Sequence, residues 1–193
     1  MGNQGRKILA LADGVDEREV IPYAEAKSIG KEHTFQEDIT DFDYLRDALL
    51  LMAKELSFEL HQQGIYSSTI TLKITYANMQ AITRSKTGEP VSRAAEIYGV
   101  AKSLLDMIDK RPIRLVGISL SNLSAEGMRQ LSLLDTDSRE QKEKLDAVAF
   151  KLRQKFGKDA VKTGNELIAE KRFQNDNEGG VCGTDGEAPY EKT

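Results

Sequence analysis

The side chains best suited to contact a polyanion lie in two stretches of the sequence that contain no acidic residue, residues 60–88 and 111–125. Their basic side chains are Lys73, Arg84, Lys86, Arg111 and Arg114. Basic and hydroxyl side chains without neighbouring carboxylates are typical donors to phosphate oxygens. The two stretches therefore predict a phosphate-contacting surface, and an ordinary solvated surface is the alternative interpretation.

The acidic residues are concentrated elsewhere in the chain. The 193 residues carry 27 Lys and Arg against 31 Asp and Glu, a net charge of −4. Carboxylates crowd residues 37–47 and recur from residue 176 to the C-terminus. Because local potential decides which partner binds, a weakly acidic chain can still present a basic face.

Few residues could support catalysis, metal binding or membrane insertion. The one cysteine, Cys182, excludes an internal disulfide, and together with two histidines it argues against a structural zinc site. His33 falls in a predicted strand and His61 at a predicted helix end, so neither is paired with a nucleophile. No apolar run approaches the roughly 20 residues that span a bilayer. We therefore expect no catalytic residue, no metal site and no membrane partner.

Hydrophobic periodicity predicts six consecutive elements between residues 28 and 123. In order they are a strand at 28–35, a helix from Asp41 or Asp43 to Gly64, a strand at 68–82, a short strand at 83–90, a helix capped by Ser92, and a strand at 112–123 with a possible bulge at Gly117. The first helix carries an apolar stripe at Leu45, Leu49, Met52, Leu56 and Leu60. The second carries one at Ala95, Tyr98, Ala101, Leu105 and Ile108.

This order predicts an α+β fold, a four-stranded antiparallel sheet with two helices on one face and a β-α-β-β-α-β sequence of elements. Alternation along residues 68–76 directs Ile70, Leu72, Ile74 and Tyr76 to the buried face. The open face then presents Thr69, Thr71, Lys73 and Thr75.

Helical segments flank this core. Before it, MGNQG precedes a short helical run. After it, Leu145, Val148, Leu152 and Phe156 recur at helical spacing in a helix that ends near Gly157. The polar, glycine-rich chain from residue 174 is typical of disorder.

Five segments of the core form an ordered set: AKSIG at 26–30 with TF at 34–35, STITLKITY at 68–76, ITRS at 82–85, AEIYGVAKSLL at 95–105 and RPIRLVGISLSNL at 111–123. In this order and spacing they resemble the little-finger domain of Y-family translesion DNA polymerases of the DinB and UmuC type. Residues 2–20 resemble the closing helix-hairpin-helix half of that family's thumb. Residues 152–161 resemble its C-terminal helical extension.

The resemblance implies a division of the chain into a thumb remnant (1–25), a little finger (26–125), a linker (126–137), a helical extension (138–173) and a tail (174–193). In the family, the palm that precedes the thumb holds two magnesium ions for nucleotidyl transfer. This chain begins inside the thumb, so we expect a C-terminal piece without polymerase activity or a cofactor of its own. Its partners would include the palm, the fingers and the rest of the thumb, in the bacterial cytoplasm at the nucleoid.

The resemblance also implies contacts with duplex template–primer DNA. In the family, the open sheet lies in the major groove and holds both backbones without reading bases. Carried over by position, the DNA-contacting residues are Lys27, Ser28, Gly30, Thr34, Lys73, Thr83, Arg84, Ser85, Lys86, Arg114 and Ser119. Among them Arg84 is the principal candidate.

A second interaction site is predicted at residues 130–134, where the sequence is QLSLL. It resembles the short peptide by which bacterial polymerases bind the sliding clamp. Its residues are Gln130, Leu131, Ser132, Leu133 and Leu134. An extended peptide of this kind buries its apolar side chains in a pocket of the partner. The alternative is that the leucines pack within this chain.

Two other functions are compatible with the sequence. One is a free-standing regulator that binds the clamp and DNA without a polymerase. The other is a ferredoxin-like RNA-binding module, which would need aromatic residues on its open face for base stacking. Tyr76 falls on the buried side, which disfavours that module.

Overall fold

A computed structural model describes residues 3–19, 26–125 and 136–178. The elements are α1 (Asn3–Ala12), β1 (Ser28–Ile39), α2 (Phe42–Gln63), β2 (Tyr66–Tyr76), β3 (Ala81–Val91), α3 (Ala94–Leu105), β4 (Ile113–Ser124), α4 (Thr136–Phe156) and α5 (Gly164–Glu178). None of the described helices is long and apolar enough to cross a membrane.

The four strands form one antiparallel sheet in the order β1-β4-β2-β3. Helices α2 and α3 cover one face, and the core between the layers includes Leu49, Leu72, Ile97 and Leu120. The predicted fold class, with its β-α-β-β-α-β order, is confirmed. The predicted burial of Ile70, Leu72, Ile74 and Tyr76 is confirmed as well.

Helix α2 begins and ends where its sequence predicts. The Asp41 carboxylate accepts a hydrogen bond from the backbone N–H of Asp43 at 2.8 Å, which identifies Asp41 as the N-cap. Gly64 adopts a left-handed conformation with φ of 65°, as glycine commonly does after a helix. All five residues of the predicted apolar stripe are buried.

The prediction of one strand over residues 68–82 is wrong, because a turn separates β2 from β3 at residues 77–80. The backbone N–H of Tyr76 donates to the carbonyl of Gln80 at 3.0 Å, and Met79 has a positive φ of 64°. The Asn78 side chain accepts from the Gln80 N–H and closes the turn. Strand β3 is consequently a full partner of β2, longer than the predicted short strand.

The predicted start and stripe of α3 need correction. Arg93 is the N-cap, and Ser92 is buried with its carbonyl accepting a hydrogen bond from Ser57 Oγ at 2.7 Å. Ala95 is exposed, and the buried residues of this helix are Ile97, Ala101, Leu104 and Leu105. The contact of Ser92 with α2 depends on tertiary packing. A local sequence pattern cannot predict such a contact.

Gly117 marks a close approach between strands, not the predicted bulge. It pairs in register with Glu32 of β1 and Lys73 of β2, and the register of β4 shifts between Leu115 and Ile113 instead. A Cβ at Gly117 would lie 2.7 Å from Glu32 Cγ and 3.0 Å from the Lys31 carbonyl. Glycine is required here by the crowding of β1.

Helix α5 forms a further layer on the outer side of α2. The rings of Tyr44 and Phe173 stack with centroids 4.7 Å apart. The buried Lys54 ammonium lies 3.5 Å from the carboxylate of Glu166 and 3.4 Å from that of Glu170. Removal of either partner from such a pair is costly, because it leaves the other charge buried without compensation.

A capping box starts α5. The Thr163 hydroxyl accepts from the Glu166 N–H, while the Glu166 carboxylate accepts from the Thr163 N–H at 3.1 Å. The helix continues to Glu178, so its last turn includes residues that the sequence assigned to the tail. The remainder of that predicted tail, and Cys182 within it, lies outside the described residues.

Helix α4 ends at Phe156 before Gly157, as predicted, but most of the apolar stripe predicted for it is not buried. Leu145, Val148 and Phe156 are each more than half exposed. Phe150 instead contacts Phe58 of α2, with ring centroids 5.4 Å apart. On the same side of the helix, Asp146 forms an ion pair with Arg93.

Helix α1 also differs from its prediction. It begins at Asn3, so Gly5 of the MGNQG segment lies inside the helix and not before it. Its Ile8 and Leu9 side chains are more than half exposed.

The Gly117→Ala variant should be less stable by about 1–3 kcal/mol, because the added methyl group would crowd Glu32 Cγ and the Lys31 carbonyl oxygen. The matched control is Gly99→Ala within α3, where a Cβ meets no atom within 4 Å. We expect that control to raise stability by up to about 1 kcal/mol. Urea unfolding of both variants tests the difference, and equal effects would contradict it.

Thr163→Ala should weaken the docking of α5, since a lost N-cap costs about 1 kcal/mol. We expect faster amide hydrogen exchange in α5 with unchanged protection in β2 and β4. Thr40→Ala, an exposed threonine before α2, serves as the control. A uniform loss of protection across the sheet would argue against this local role.

Candidate nucleic-acid interface

The open face of the sheet, the face opposite α2 and α3, is built of four cross-strand rows. Reading β1, β4, β2 and β3 in turn, the rows are Ser28-Ser121-Thr69-Thr87, Gly30-Ser119-Thr71-Ser85, Glu32-Gly117-Lys73-Thr83 and Thr34-Leu115-Thr75-Ala81. Most of these side chains are short hydroxyls or glycine. Such a face is flat, and it offers hydrogen-bond donors and acceptors close to the backbone.

Hydrogen bonds between neighbouring strands hold these hydroxyls in place. Thr71 Oγ1 and Ser85 Oγ lie 2.8 Å apart, and Thr69 Oγ1 and Thr87 Oγ1 lie 2.9 Å apart. Asn122 donates from Nδ2 to Thr69 Oγ1 at 2.9 Å and has a positive φ of 53°. A hydroxyl can both donate and accept, so each keeps capacity for a further hydrogen bond to a ligand.

Gly30 keeps the β1 side of the open face low. A Cβ at this position would lie 3.0 Å from the Ile118 carbonyl oxygen and 3.4 Å from Ser119 Cα. The backbone of β1 is therefore open to a ligand at this point, without an intervening side chain of its own.

The charged side chains within the four rows are Glu32 and Lys73. The Lys73 ammonium lies 2.9 and 2.8 Å from the two carboxylate oxygens of Glu32. The pair extends across Gly117, because β4 separates β1 from β2. Within these rows, the centre of the open face therefore carries no net charge.

The structure divides the predicted DNA-contacting residues between the two sides of the sheet. The open face brings together Ser28, Gly30, Thr34, Lys73, Thr83, Ser85 and Ser119. Arg84 and Lys86 pair with Leu72 and Ile70 and therefore share the opposite side of β3. Lys27 is exposed just before β1, and Arg114 lies beside the Asp38 carboxylate at 3.8 Å.

Strand β3 gives Arg84 and Lys86 access to solvent despite their orientation. Every residue from 83 to 89 is exposed, so α2 and α3 leave this part of the strand uncovered on both sides. Within the described sheet β3 is an edge strand, so one side of its backbone is not paired with another described strand. Basic side chains and hydroxyls thus occur together along this edge.

Lys31 lies on the helix-covered side of β1 and, unlike Arg84 and Lys86, is already paired with a carboxylate of α2. Its ammonium lies 2.9 Å from a carboxylate oxygen of Glu55 in α2. A hydrogen bond to that carboxylate raises the Lys31 pKa, which keeps the side chain charged and engaged with α2.

The polar residues of this surface that were not predicted from the sequence include Glu32, Thr87, Ser121 and Asn122. The alternation of β1 and β3 places Glu32 and Thr87 on the open face, so strand parity was the available signal. The role of Asn122 depends on its unusual backbone conformation, for which the sequence provides no comparable signal.

Among the described residues, no cluster of potential metal ligands lies on the open face, and a cavity of the helical layer lies away from it. Across the described ranges no three His, Cys, Asp or Glu side chains come together in a group that could hold a metal ion. A cavity of about 690 Å³ is lined by residues of the helices and their connections, including Phe58, Tyr98 and Ile168, and by none of the strands.

The predicted clamp-binding residues Gln130, Leu131, Ser132, Leu133 and Leu134 lie outside the described residues.

Comparison with known proteins identifies the family. The family model described as the impB/mucB/samB family C-terminal domain matches residues 26–133. A DNA polymerase IV from Alkalilimnicola ehrlichii is 37% identical over 137 residues, which cover 68% of this chain and 39% of that protein. A DNA polymerase IV from Dehalococcoides mccartyi is 34% identical over 177 residues, covering 90% of this chain and 45% of the relative.

One similar solved structure has a lower sequence identity to this chain than the two relatives have. The little finger domain of PolIV, solved in complex with a beta-clamp processivity factor, is 24% identical with a TM-score of 0.44. The match covers 55% of this chain and 98% of that one. This chain spans less than half the length of the two curated relatives. It belongs to the impB/mucB/samB family, and residues 26–133 are the C-terminal domain found in Y-family polymerases of the DinB type.

Proposed function

We propose that this chain is the DNA-gripping part of a translesion DNA polymerase, and that it holds template–primer duplex by its backbones without reading sequence. The observation that carries the proposal is the open face, whose rows of hydroxyls and glycines are flanked by a basic, solvent-exposed edge strand. Contacts to phosphates position a duplex but carry no sequence information. An enzyme that accepts damaged templates needs that kind of contact.

The dimensions of the sheet agree with this proposal. Neighbouring strands lie about 4.8 Å apart, so β1 and β3 at the two edges are separated by roughly 14 Å. The major groove of B-form DNA is about 12 Å wide. The face can therefore lie over the groove with one edge near each backbone. Ser28, Gly30 and Thr34 would contact one strand, and Thr83, Arg84, Ser85 and Lys86 the other.

The residues proposed to bind DNA act as donors in different ways. Arg84 and Lys86 would supply charge, while Thr83, Ser85 and Ser119 would supply hydroxyl hydrogen bonds. Lys27 and Arg114 are proposed as peripheral contacts. Lys73 is proposed as a contact near the centre, subject to its ion pair with Glu32.

An RNA-binding module is a weaker alternative. Such modules stack bases on aromatic rings of the sheet. The four rows of the open face contain no aromatic residue, and Tyr76 is buried with 2% of its surface exposed.

We further propose that residues 130–134 tether this chain to a bacterial sliding clamp. Support comes from the QLSLL sequence and from its place shortly after β4, the last strand of the domain in the sequence. The polymerase activity belongs to the whole protein, and its magnesium ions would be held by a palm domain. A free-standing regulator that binds DNA and the clamp is the alternative.

Replacing Arg84 and Lys86 with alanine should weaken binding to duplex DNA and reduce its salt dependence. Each lost phosphate contact lowers the magnitude of the slope of log K against log salt by about 0.9. Fluorescence anisotropy of a labelled primer–template at several salt concentrations measures both quantities. The wild-type chain should bind duplexes of unrelated sequence equally well.

The matched control for this experiment is Lys102→Ala/Lys151→Ala. It removes the same charge from exposed positions on α3 and α4. An equal loss of binding in the control would show that net charge, and not the β3 edge, is responsible. Absence of wild-type binding at low salt would contradict the proposed DNA grip.

Gln130→Ala/Leu133→Ala/Leu134→Ala should abolish binding to an immobilised bacterial sliding clamp while leaving DNA affinity unchanged. The substitutions remove a polar anchor and two apolar side chains from a short linear motif. Surface plasmon resonance measures the interaction, and a peptide of residues 128–136 should compete with the wild-type chain. Leu145→Ala, on the exposed side of α4, is the control. Undiminished clamp binding by the triple variant would refute the tether.

A further inference from the structure

We propose that Glu32 limits the affinity of the open face for DNA by holding Lys73 in an ion pair across Gly117. The duplex is then gripped mainly at the two sheet edges, while the centre of the face stays electrically neutral. This inference rests on the proposed DNA-binding function and adds the residue that sets how tightly the face binds.

The geometry of the pair is specific. Both carboxylate oxygens of Glu32 accept from the Lys73 ammonium, at 2.9 and 2.8 Å, so neither oxygen is left without a hydrogen bond. These distances are typical of charge-assisted hydrogen bonds, and solvent screens the pair because both side chains are partly exposed. The two residues come from β1 and β2, which are both paired with β4 and not with each other.

Gly117 makes this long reach possible. It pairs with Glu32 on one side and with Lys73 on the other, so it lies directly between them. A Cβ at this position would lie 2.7 Å from Glu32 Cγ. The stem of Glu32 can therefore pass over the β4 backbone because residue 117 has no side chain.

The pair is positioned where it affects a ligand on the open face. The Lys73 side chain is 41% exposed and that of Glu32 is 48% exposed, so both are accessible to a bound duplex. A phosphate that approaches Lys73 meets a carboxylate that is already bound to the ammonium and that repels the phosphate. Lys73 consequently contributes little to counterion release, the effect by which basic residues bind a phosphate backbone.

A limited affinity suits a surface that must hold DNA and also let it move. Contacts at the edges give grip, whereas an unpaired lysine at the centre would add a further fixed phosphate contact. By pairing with Lys73, Glu32 removes that phosphate contact from the centre. The hydroxyl rows can still form hydrogen bonds with the duplex.

The test compares wild type with Glu32→Gln, which keeps the length of the side chain over Gly117 and removes its charge. Released Lys73 should bind one more phosphate, so the variant should bind a primer–template more tightly at 50 mM salt. Each phosphate contact accounts for about a threefold loss of affinity between 50 and 200 mM salt. Glu32→Gln should therefore lose roughly three times more affinity than wild type over that range.

Two further variants complete the cycle. Lys73→Met should bind more weakly than wild type, because it leaves the Glu32 carboxylate on the face without its partner. Glu32→Gln/Lys73→Met should return to a salt slope close to that of wild type. Non-additivity of the single substitutions reports the coupling between the two residues.

The control for net charge is Glu37→Gln, an exposed position on the same strand. Equal binding by Glu32→Gln and Glu37→Gln, with wild type still binding duplex, would overturn the role of Glu32 and leave the DNA grip intact. A wild-type chain that fails to bind duplex at 50 mM salt would overturn both. Tighter binding restricted to Glu32→Gln, with the steeper slope, supports the inference.

Discussion

Burial of one sheet face beneath α2 and α3 is the constraint on which the rest of this structure depends. Alternation along each strand sends aliphatic side chains such as Leu72, Ile74 and Ile118 into the core. The same alternation leaves the intervening residues on a single uncovered surface. Because a one-residue slip would exchange the two faces, the burial that stabilises the fold also fixes which residues a ligand meets. Stability and recognition are thus set by the same registers.

Much of this arrangement could be predicted from sequence, where local signals agree with long-range packing. The Asp41 cap, the Gly64 terminus and the stripe of α2 are correct because each depends on residues within a few positions. The face assignments of β2 are correct because period-two alternation there is strict. The prediction fails at Ser92 and at the stripe of α4, where contacts with a distant helix override the local pattern.

The candidate site shows the same division between local and non-local information. The threonines of β2 could be assigned to one face from spacing, but the opposite orientation of Arg84 and Lys86 required the pairing of β2 with β3. The link between Glu32 and Lys73 joins residues on strands that are not neighbours. Gly117 allows this link because it lies between Glu32 of β1 and Lys73 of β2. That role depends on both adjacent strands, so the sequence alone led to the wrong prediction of a bulge.

The position of β4 also governs how this domain can assemble. Strands β2 and β3 are joined by a short turn and can form a hairpin early, whereas Ser28 of β1 pairs with Ser121, about ninety residues later in the chain. Strand β1 cannot join the sheet until β4 is in place between it and β2. Such non-local pairing slows folding, because loop-closure entropy is lost before the contacts form. During synthesis on the ribosome, β1 and the apolar side of α2 must therefore await nearly the whole domain, a period in which they are open to association with other chains.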